Sequence, residues 1–291
     1  MGFTIKELET LTGIKAHTIR IWEQRYTFLR PSRTSTNIRT YNNEELKTLL
    51  TVALLNKYGY KISRIDGMDA AERHREVLQL GFDEAKQEHL VNELIGCMVD
   101  LEATGFERHL DHYLERYGLE QAITGLVFRF LEKTGILWQT GRVNPAHEHI
   151  VSNIIRQKVI AAIETLPIAD GGTPQLLLLL PEGEFHELGL LYVSYLLRRR
   201  GLSVLYLGAN TPLKDALYVV GLKKPAYIYM HLTAVHHKPH FHRFLQGLCN
   251  GATHSTVLLS GYVSLDPPKA GSENLALLQS LAHVHTYISE L

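Results

Sequence analysis

A glutamate, a histidine and a glycine follow a run of five leucines in the second half of the chain. Glu184, His186 and Gly189 come shortly after residues 176–180 and open an amphipathic helix. A strand ending here would place His186 at its carboxyl end, the edge where ligands bind in open α/β sheets. A carboxylate can fix the tautomer of a neighbouring imidazole and orient it toward a metal ion, and a glycine leaves space for something flat. These residues predict a metal-centred ligand site, with a solvated histidine at a helix start as the alternative.

The size and charge of the chain exclude several classes of protein. At 291 residues, two or three folding units are expected. The 30 basic and 30 acidic side chains cancel, so only a local charge patch could indicate nucleic acid. Cys97 and Cys249 fit no metal or redox spacing, and no signal peptide or apolar run of about 20 residues is present. We expect a cytoplasmic protein that does not insert into a membrane.

The region from residue 174 to 291 alternates between short apolar runs and amphipathic runs. Strands are predicted near 176–180, 204–207, 226–232 and 256–259, with a helix after each. This alternation is typical of a doubly wound parallel sheet of the α/β class, Rossmann-like in type. The carboxyl ends of its strands would then form the edge that carries His186.

The region from residue 80 to 168 is helical throughout. Four apolar-periodic runs, over 85–101, 106–117, 120–137 and 145–166, predict a four-helix bundle. Glycines are expected at the joints between the helices: Gly105, Gly118 and Gly141.

The first 75 residues have the punctuation of a helix-turn-helix. Two short helical patterns flank Thr12-Gly13-Ile14, and Trp22 lies on the face expected to be core. Between Lys15 and Tyr41 there are six Lys or Arg residues and one Glu. Such a basic patch in an otherwise neutral chain is typical of phosphate binding.

Four segments of this head resemble the MerR family of winged-helix transcription regulators: residues 3–5, 17–26, 30–33 and 38–41. The resemblance implies promoter DNA as a partner, a recognition helix over 16–26 in the major groove and a wing over 33–41. His17 and Arg20 are the candidates for contacts to base edges. The other candidate DNA-binding residues, which would hold phosphates and fix the register, are Lys15, Thr18, Arg25, Tyr26, Arg33, Arg39 and Tyr41.

The E-x-H-x-x-G spacing, followed by a helix and a second strand, resembles the cobalamin-binding domain family. That resemblance makes His186 the lower axial ligand of cobalt, with Glu184 as its hydrogen-bond partner. In the bundle, Trp138 followed by Glu148-His149 is similar to light-responsive cobalamin-dependent repressors that carry a MerR-type head. There these residues are implied to cover the upper face of the cofactor.

The chain departs from the cobalamin pattern at two strand ends. The family has small residues after its third and fourth strands, where they admit the nucleotide tail of the cofactor. This chain has His231-Leu232-Thr233 and Ser260-Gly261 in those places. Two outcomes stay open: cobalamin with a rearranged tail, or another tetrapyrrole such as biliverdin or haem.

The resemblances together imply a multidomain, light-responsive transcription regulator rather than an enzyme. We expect a winged-helix head over 1–75, a bundle over 80–168 that caps the cofactor, and an α/β domain over 174–291. The implied cofactor is adenosylcobalamin, and the implied assembly is a homo-oligomer, either a dimer or a tetramer. The alternatives are the same architecture with biliverdin or haem, and a regulator that has lost the cofactor and senses a different ligand or only a protein partner. A cobalamin carrier for methyl transfer is a further alternative, against which the DNA-reading head argues. A histidine cluster with irregular spacing is expected on a surface loop: His236, His237, His240 and His242.

Overall fold

The computed structural model describes residues 2–139, 144–169, 175–233, 238–261 and 273–291. Contacts within the chain divide it into two compact units, Met1–Ile155 and Arg156–Leu291. Within the described ranges, none of the helices combines the length and the apolar character that crossing a bilayer requires.

The first unit begins with a helix-turn-helix and a small antiparallel wing. Capping boxes start three of its helices, Thr4 with Glu7, Asn42 with Glu45 and Asp69 with Glu72, and Gly13 at φ 73° ends the first. Trp22 is buried, as predicted. The elements are α1 (Ile5–Thr12), α2 (Ala16–Arg25), β1 (Ser32–Arg33), β2 (Arg39–Thr40), α3 (Asn43–Lys57), α4 (Ile62–Asp66) and α5 (Ala70–Leu78).

The predicted bundle helices follow, and a π-helical segment, Ala122–Val127, precedes the third of them. Gly118 breaks the helical geometry at φ 75°, as its predicted position at a joint requires. The prediction for Gly105 was wrong, because it lies inside a helix where a Cβ would come within 3.1 Å of Cys97 Sγ. Gly141 is outside the described residues. The helices are α6 (Asp83–Val99), α7 (Ala103–Gln121), α8 (Phe128–Gln139) and α9 (Pro145–Glu164).

The head and the bundle helices α6 to α8 pack into one unit. Helix α1 contacts α8, and α3 contacts α6. Polar contacts reinforce the interface of α3 with α6. Lys47 Nζ lies 2.7 Å from Asp100 Oδ2, and Asn43 donates to the carbonyl of Val99 at 3.0 Å. The predicted boundary near residue 75 is therefore not a break in packing.

The second unit is built on a five-stranded, fully parallel sheet with strand order β4-β3-β5-β6-β7. Strand β3 is buried along its whole length, as expected for a central strand covered on both faces. After β3 the chain adds β4 on one side of it, and it then crosses to the other side to add β5, β6 and β7. The direction of winding therefore reverses between β3 and β5. Ligands bind in open α/β sheets at such a switch point. The elements are β3 (Leu176–Pro181), α10 (Leu188–Arg199), β4 (Val204–Thr211), α11 (Leu213–Lys223), β5 (Tyr227–Leu232), α12 (Lys238–Gly251), β6 (Thr256–Gly261), β7 (Leu275–Leu278) and α13 (Leu281–Glu290).

Candidate cofactor site and nucleic-acid interface

The loop after β3 holds Glu184 and His186 in a fixed pair. His186 Nδ1 lies 2.6 Å from Glu184 Oε1, and the His186 backbone N–H donates to the same oxygen at 2.8 Å. The neighbouring strand holds the loop as well. Asn210 accepts from the Gly183 N–H at 2.9 Å through its side chain, and its own backbone N–H donates to the Glu184 carbonyl at 3.0 Å.

The pair determines which nitrogen of His186 can bind a metal ion. Glu184 is buried at 5% exposure, while the side chain of His186 is about half exposed, at 52%. Burial alone would raise the pKa of Glu184, but the hydrogen bonds from His186 hold that pKa below its ordinary value. A carboxylate that accepts from Nδ1–H leaves the lone pair on Nε2. This is the tautomer in which a histidine coordinates a transition metal through Nε2.

A second carboxylate in the loop was not predicted from the sequence. Glu187 Oε1 accepts from Arg156 Nε at 2.6 Å, and Glu187 Oε2 accepts from the Tyr206 hydroxyl at 2.7 Å. Burial, together with the bond to Glu187, raises the pKa of Tyr206, so its hydroxyl stays a donor. Arg156 lies on α9 and Tyr206 on β4, so Glu187 joins the loop to both. The only sequence feature that points to Glu187 is its place within the E-x-H-x-x-G segment.

The ends of β5 and β6 carry a second polar cluster at the same edge of the sheet. The strand register places His231 opposite Ser260. Ser260, at 1% exposure, shares hydrogen bonds with the Tyr229 hydroxyl at 2.6 Å and with His231 Nδ1 at 2.8 Å. Burial lowers the pKa of His231 to about 4, against an opposing effect of Glu184. The His231 ring is therefore neutral at neutral pH.

The ring of His231 packs against the backbone of Gly189. A Cβ added to Gly189 would lie 2.2 Å from His231 Cδ2 and 2.6 Å from Nε2. We expected Gly189 to leave space for a flat ligand, and the structure corrects this expectation, because the His231 imidazole fills that space. Gly261 has a different role: at φ 90°, its Cβ would lie 2.2 Å from the Leu232 carbonyl oxygen. Thr233 is exposed just after β5.

The bundle residues predicted to cover a cofactor lie on two helices. Glu148 Oε2 is 3.1 Å from His149 Nδ1 in the first turns of α9. Trp138 is in the last turn of α8, and its side chain is outside the described residues. In the predicted histidine cluster, His240 and His242 are exposed on α12, while His236 and His237 are outside the described residues.

Helix α2 and the wing present the predicted basic surface. Thr18 and Tyr26 are half-buried beside it, and Lys15 Nζ pairs with Glu9 Oε1 at 3.2 Å. In the wing, Arg33 Nη1 donates to Asn37 Oδ1 at 2.7 Å. The candidate DNA-binding side chains that are exposed are Lys15, His17, Arg20, Arg25 and Arg33.

Tyr41 is not part of that surface. It is fully buried, its hydroxyl bonds to Glu23 on α2, and its backbone pairs with Phe3. Arg39 Nε donates to the same Glu23 carboxylate at 2.7 Å. The prediction of Tyr41 as a phosphate contact is therefore corrected: Tyr41 belongs to the core, where it and Arg39 tie the wing to the recognition helix.

A solved structure shares the fold of a large part of this chain. The monomethylamine corrinoid protein of Methanosarcina barkeri matches with a TM-score of 0.55 and 11% sequence identity, covering 70% of this chain and 100% of that one. At this identity the likeness shows the fold alone.

Sequence comparisons give the family. Residues 3–72 match the MerR HTH family regulatory proteins, and residues 90–163 match the B12 binding domain. The chain is 32% identical to the HTH-type transcriptional repressor CarA of Myxococcus xanthus, over 73% of this chain and 70% of that protein. It is 27% identical to the repressor CarH of the same organism, over 75% of this chain and 74% of that protein. The chain therefore belongs to the family of MerR-type transcription regulators that join a DNA-binding head to a B12 binding domain.

Proposed function

We propose that this regulator responds to light through adenosylcobalamin held by His186, and that it binds promoter DNA through α2 and the wing. The observation that carries the proposal is the 2.6 Å Glu184–His186 pair at the switch point of the sheet, in a chain that also has a basic helix-turn-helix. The Glu184–His186 pair alone does not distinguish a regulator from a corrinoid carrier. The helix-turn-helix does, because a carrier has no use for a DNA-reading head.

The donor set fits the lower face of a corrin. An Nε2 lone pair on a half-exposed histidine, fixed by a buried carboxylate, is a suitable axial ligand for cobalt. The His231 ring packs directly on Gly189, where the family pattern has the small residues that would admit a nucleotide tail. A tail enters along this path only if His231 turns away from Ser260.

When bound, adenosylcobalamin supplies a cobalt–carbon bond that light can break. Glu184 keeps a proton on His186 Nδ1 and so keeps Nε2 as the donor. Asn210 holds the loop that carries both residues. Glu187 links this loop to Arg156 on α9, so a displacement of the loop is passed to that helix. Glu148 and His149, in the first turns of α9, and Trp138, in the last turn of α8, are the bundle residues that we assign to the cofactor.

DNA binding is assigned to the exposed face of α2. His17 and Arg20 are placed at base edges, and the neighbouring basic side chains at phosphates. One winged helix buries little surface, so a homo-oligomer, either a dimer or a tetramer, would supply affinity through repeated half-sites. Light would then act on DNA binding through the assembly state.

One observation favours a second candidate ligand. The filled space beside Gly189 suits a tetrapyrrole without a nucleotide tail, and biliverdin and haem both meet that condition. The DNA-binding part of the proposal is the same for either ligand.

Absorption spectroscopy of the full chain tests the proposal. Adenosylcobalamin, haem and biliverdin are each added in darkness, the spectrum is recorded, and both the spectrum and promoter binding are measured again after illumination. The proposal predicts a cobalamin complex whose spectrum and DNA affinity both change with light. A cobalamin complex with the same DNA affinity in darkness and light would overturn the light response. If only biliverdin or haem formed a complex, the assignment of adenosylcobalamin as the cofactor would be wrong.

A further inference from the structure

A second group of metal-ligating side chains lies where the two regions that match known families adjoin, with Glu93 just inside the second region. The first of these regions ends at residue 72, and the second begins at residue 90. His74 lies on α5, and His89 and Glu93 lie one turn apart on α6. We propose that these three side chains bind a divalent transition metal ion, zinc by the chemistry of its ligands, that links α5 to α6.

The three ligand atoms already converge. One nitrogen of each histidine and one carboxylate oxygen of Glu93 all lie within 4.8 Å of one another. The two imidazole rings meet edge to face with their centroids 5.4 Å apart, and His89 Nδ1 is 3.8 Å from Glu93 Oε1. Around a tetrahedral zinc ion, with bonds of about 2.0–2.2 Å, ligand atoms would be about 3.3 Å apart. The side chains would have to rotate toward the ion to close that difference.

The ligand types suit zinc. Two imidazoles and one carboxylate, with a further position for water, form a common protein zinc site. Burial lowers the pKa of His89, and the neighbouring His74 and His109 lower it further while Glu93 opposes them.

The position of the site gives the ion a structural role. Helix α5 packs on α3 of the DNA-binding head, and α6 packs on both α3 and α7. A shared ion would fix the last helix of the head against the first helix of the bundle. This proposal is independent of the corrinoid, so its failure leaves the proposed function unchanged.

Zinc titration of the full chain, freed of any affinity tag and of bound metal, tests the site. Zinc alone is titrated against a chromophoric chelator, and wild type is compared with His89→Ala, His74→Ala and Glu93→Gln. We expect His89→Ala to bind one zinc ion fewer per chain. His74→Ala, an exposed position, and the isosteric Glu93→Gln should each weaken that ion at least about tenfold. Cobalt(II) at the same site should give the intense visible absorption of a four-coordinate ion.

His112→Ala is the matched control, because His112 is exposed on α7 and should leave both stoichiometry and affinity unchanged. Zinc held by other histidines is common to all variants and cancels in the comparison. Because His74 is exposed and Glu93→Gln keeps its shape, a loss of binding in these variants does not depend on a change of fold. Equal stoichiometry and equal affinity in wild type, His89→Ala and Glu93→Gln would overturn the site.

Discussion

The loop after β3 and the ends of β5 and β6 lie at the same edge of one sheet, but they differ in how well they suit the proposed cofactor. The loop has the paired carboxylate and histidine that axial ligation requires. The strand ends instead carry His231 and Ser260, and the His231 ring fills the space beside Gly189. The residues proposed to hold the metal ion and the residues that fill the space beside them can therefore change separately.

The physical reason is locality. The Glu184–His186 pair is formed by residues two positions apart, so one loop conformation fixes its chemistry. The space beside Gly189 lies between helix α10 and strand β5, so one residue on β5 can fill it and leave the loop intact. Four substitutions test whether the loop and the strand ends affect cofactor binding independently.

Replacing the histidine of the loop should have the largest effect. His186→Ala removes the only side chain assigned to cobalt, so we expect cobalamin affinity to fall at least about 100-fold, or about 2.7 kcal/mol. Titration followed by absorbance measures this loss. His254→Ala, an exposed position in the same unit, is the control and should bind like wild type. Unchanged affinity in His186→Ala would remove the loop from the site.

Neutralising the carboxylate partner should have the next largest effect. Glu184→Gln keeps an oxygen that can accept from His186 Nδ1 but loses the negative charge that makes the imidazole a stronger donor. A reduction of roughly 10–100-fold in cobalamin affinity is expected, which is typical for the hydrogen-bond partner of a metal-binding histidine. If Glu184→Gln bound cobalamin as wild type does, the buried carboxylate would have only a structural role in the loop.

Adding a methyl group where the two regions touch should lower stability. Gly189→Ala places a Cβ within 2.2 Å of the His231 ring, and overpacking of this kind costs about 1–3 kcal/mol. Alanine also favours the helix by up to about 1 kcal/mol over glycine, so the net loss is smaller in the wild-type background. In a His231→Ser background the clash disappears, and Gly189→Ala should become neutral or stabilising. Denaturant unfolding of the four proteins measures this coupling, and additive effects would contradict the packing of His231 on Gly189.

Emptying the strand-end region should change ligand preference by the smallest amount. His231→Ser removes the imidazole from the path of a nucleotide tail, so affinity for cobalamin should rise by roughly tenfold, as expected for relief of one steric contact. A corrinoid without a nucleotide tail serves as the internal control, and its affinity should not change. An equal rise for both corrinoids would show that His231 does not distinguish them by the tail.

The parts of the molecule that sequence reasoning predicted correctly are those decided locally. The two short helical patterns that flank Gly13 correspond to α1 and α2, and a leucine run followed by a charged loop determines β3. The Glu184–His186 contact needs only the conformation of one loop, so the residue types and their spacing were enough to predict it.

The parts that sequence reasoning missed depend on residues far apart in the chain. Tyr41 is a residue type that often contacts DNA, but its hydroxyl donates to Glu23 on α2. Gly105 was predicted at a joint, but close packing against Cys97 explains a glycine there. The substitution at His231 was visible in the sequence, but its contact with Gly189 depends on the packing of α10 against β5.

The most direct test of the central claim is whether His186 supplies the nitrogen bound to cobalt. Electron paramagnetic resonance of the cobalt(II) form, bound to protein with natural histidine and with nitrogen-15 histidine, reports the nuclear spin of the axial ligand. The proposal predicts that each cobalt line is split into a triplet with natural histidine and into a doublet with the labelled protein, and that His186→Ala loses the label-dependent splitting. A triplet that persists in the labelled protein would identify a nitrogen of the cofactor as the ligand and contradict the assignment of His186.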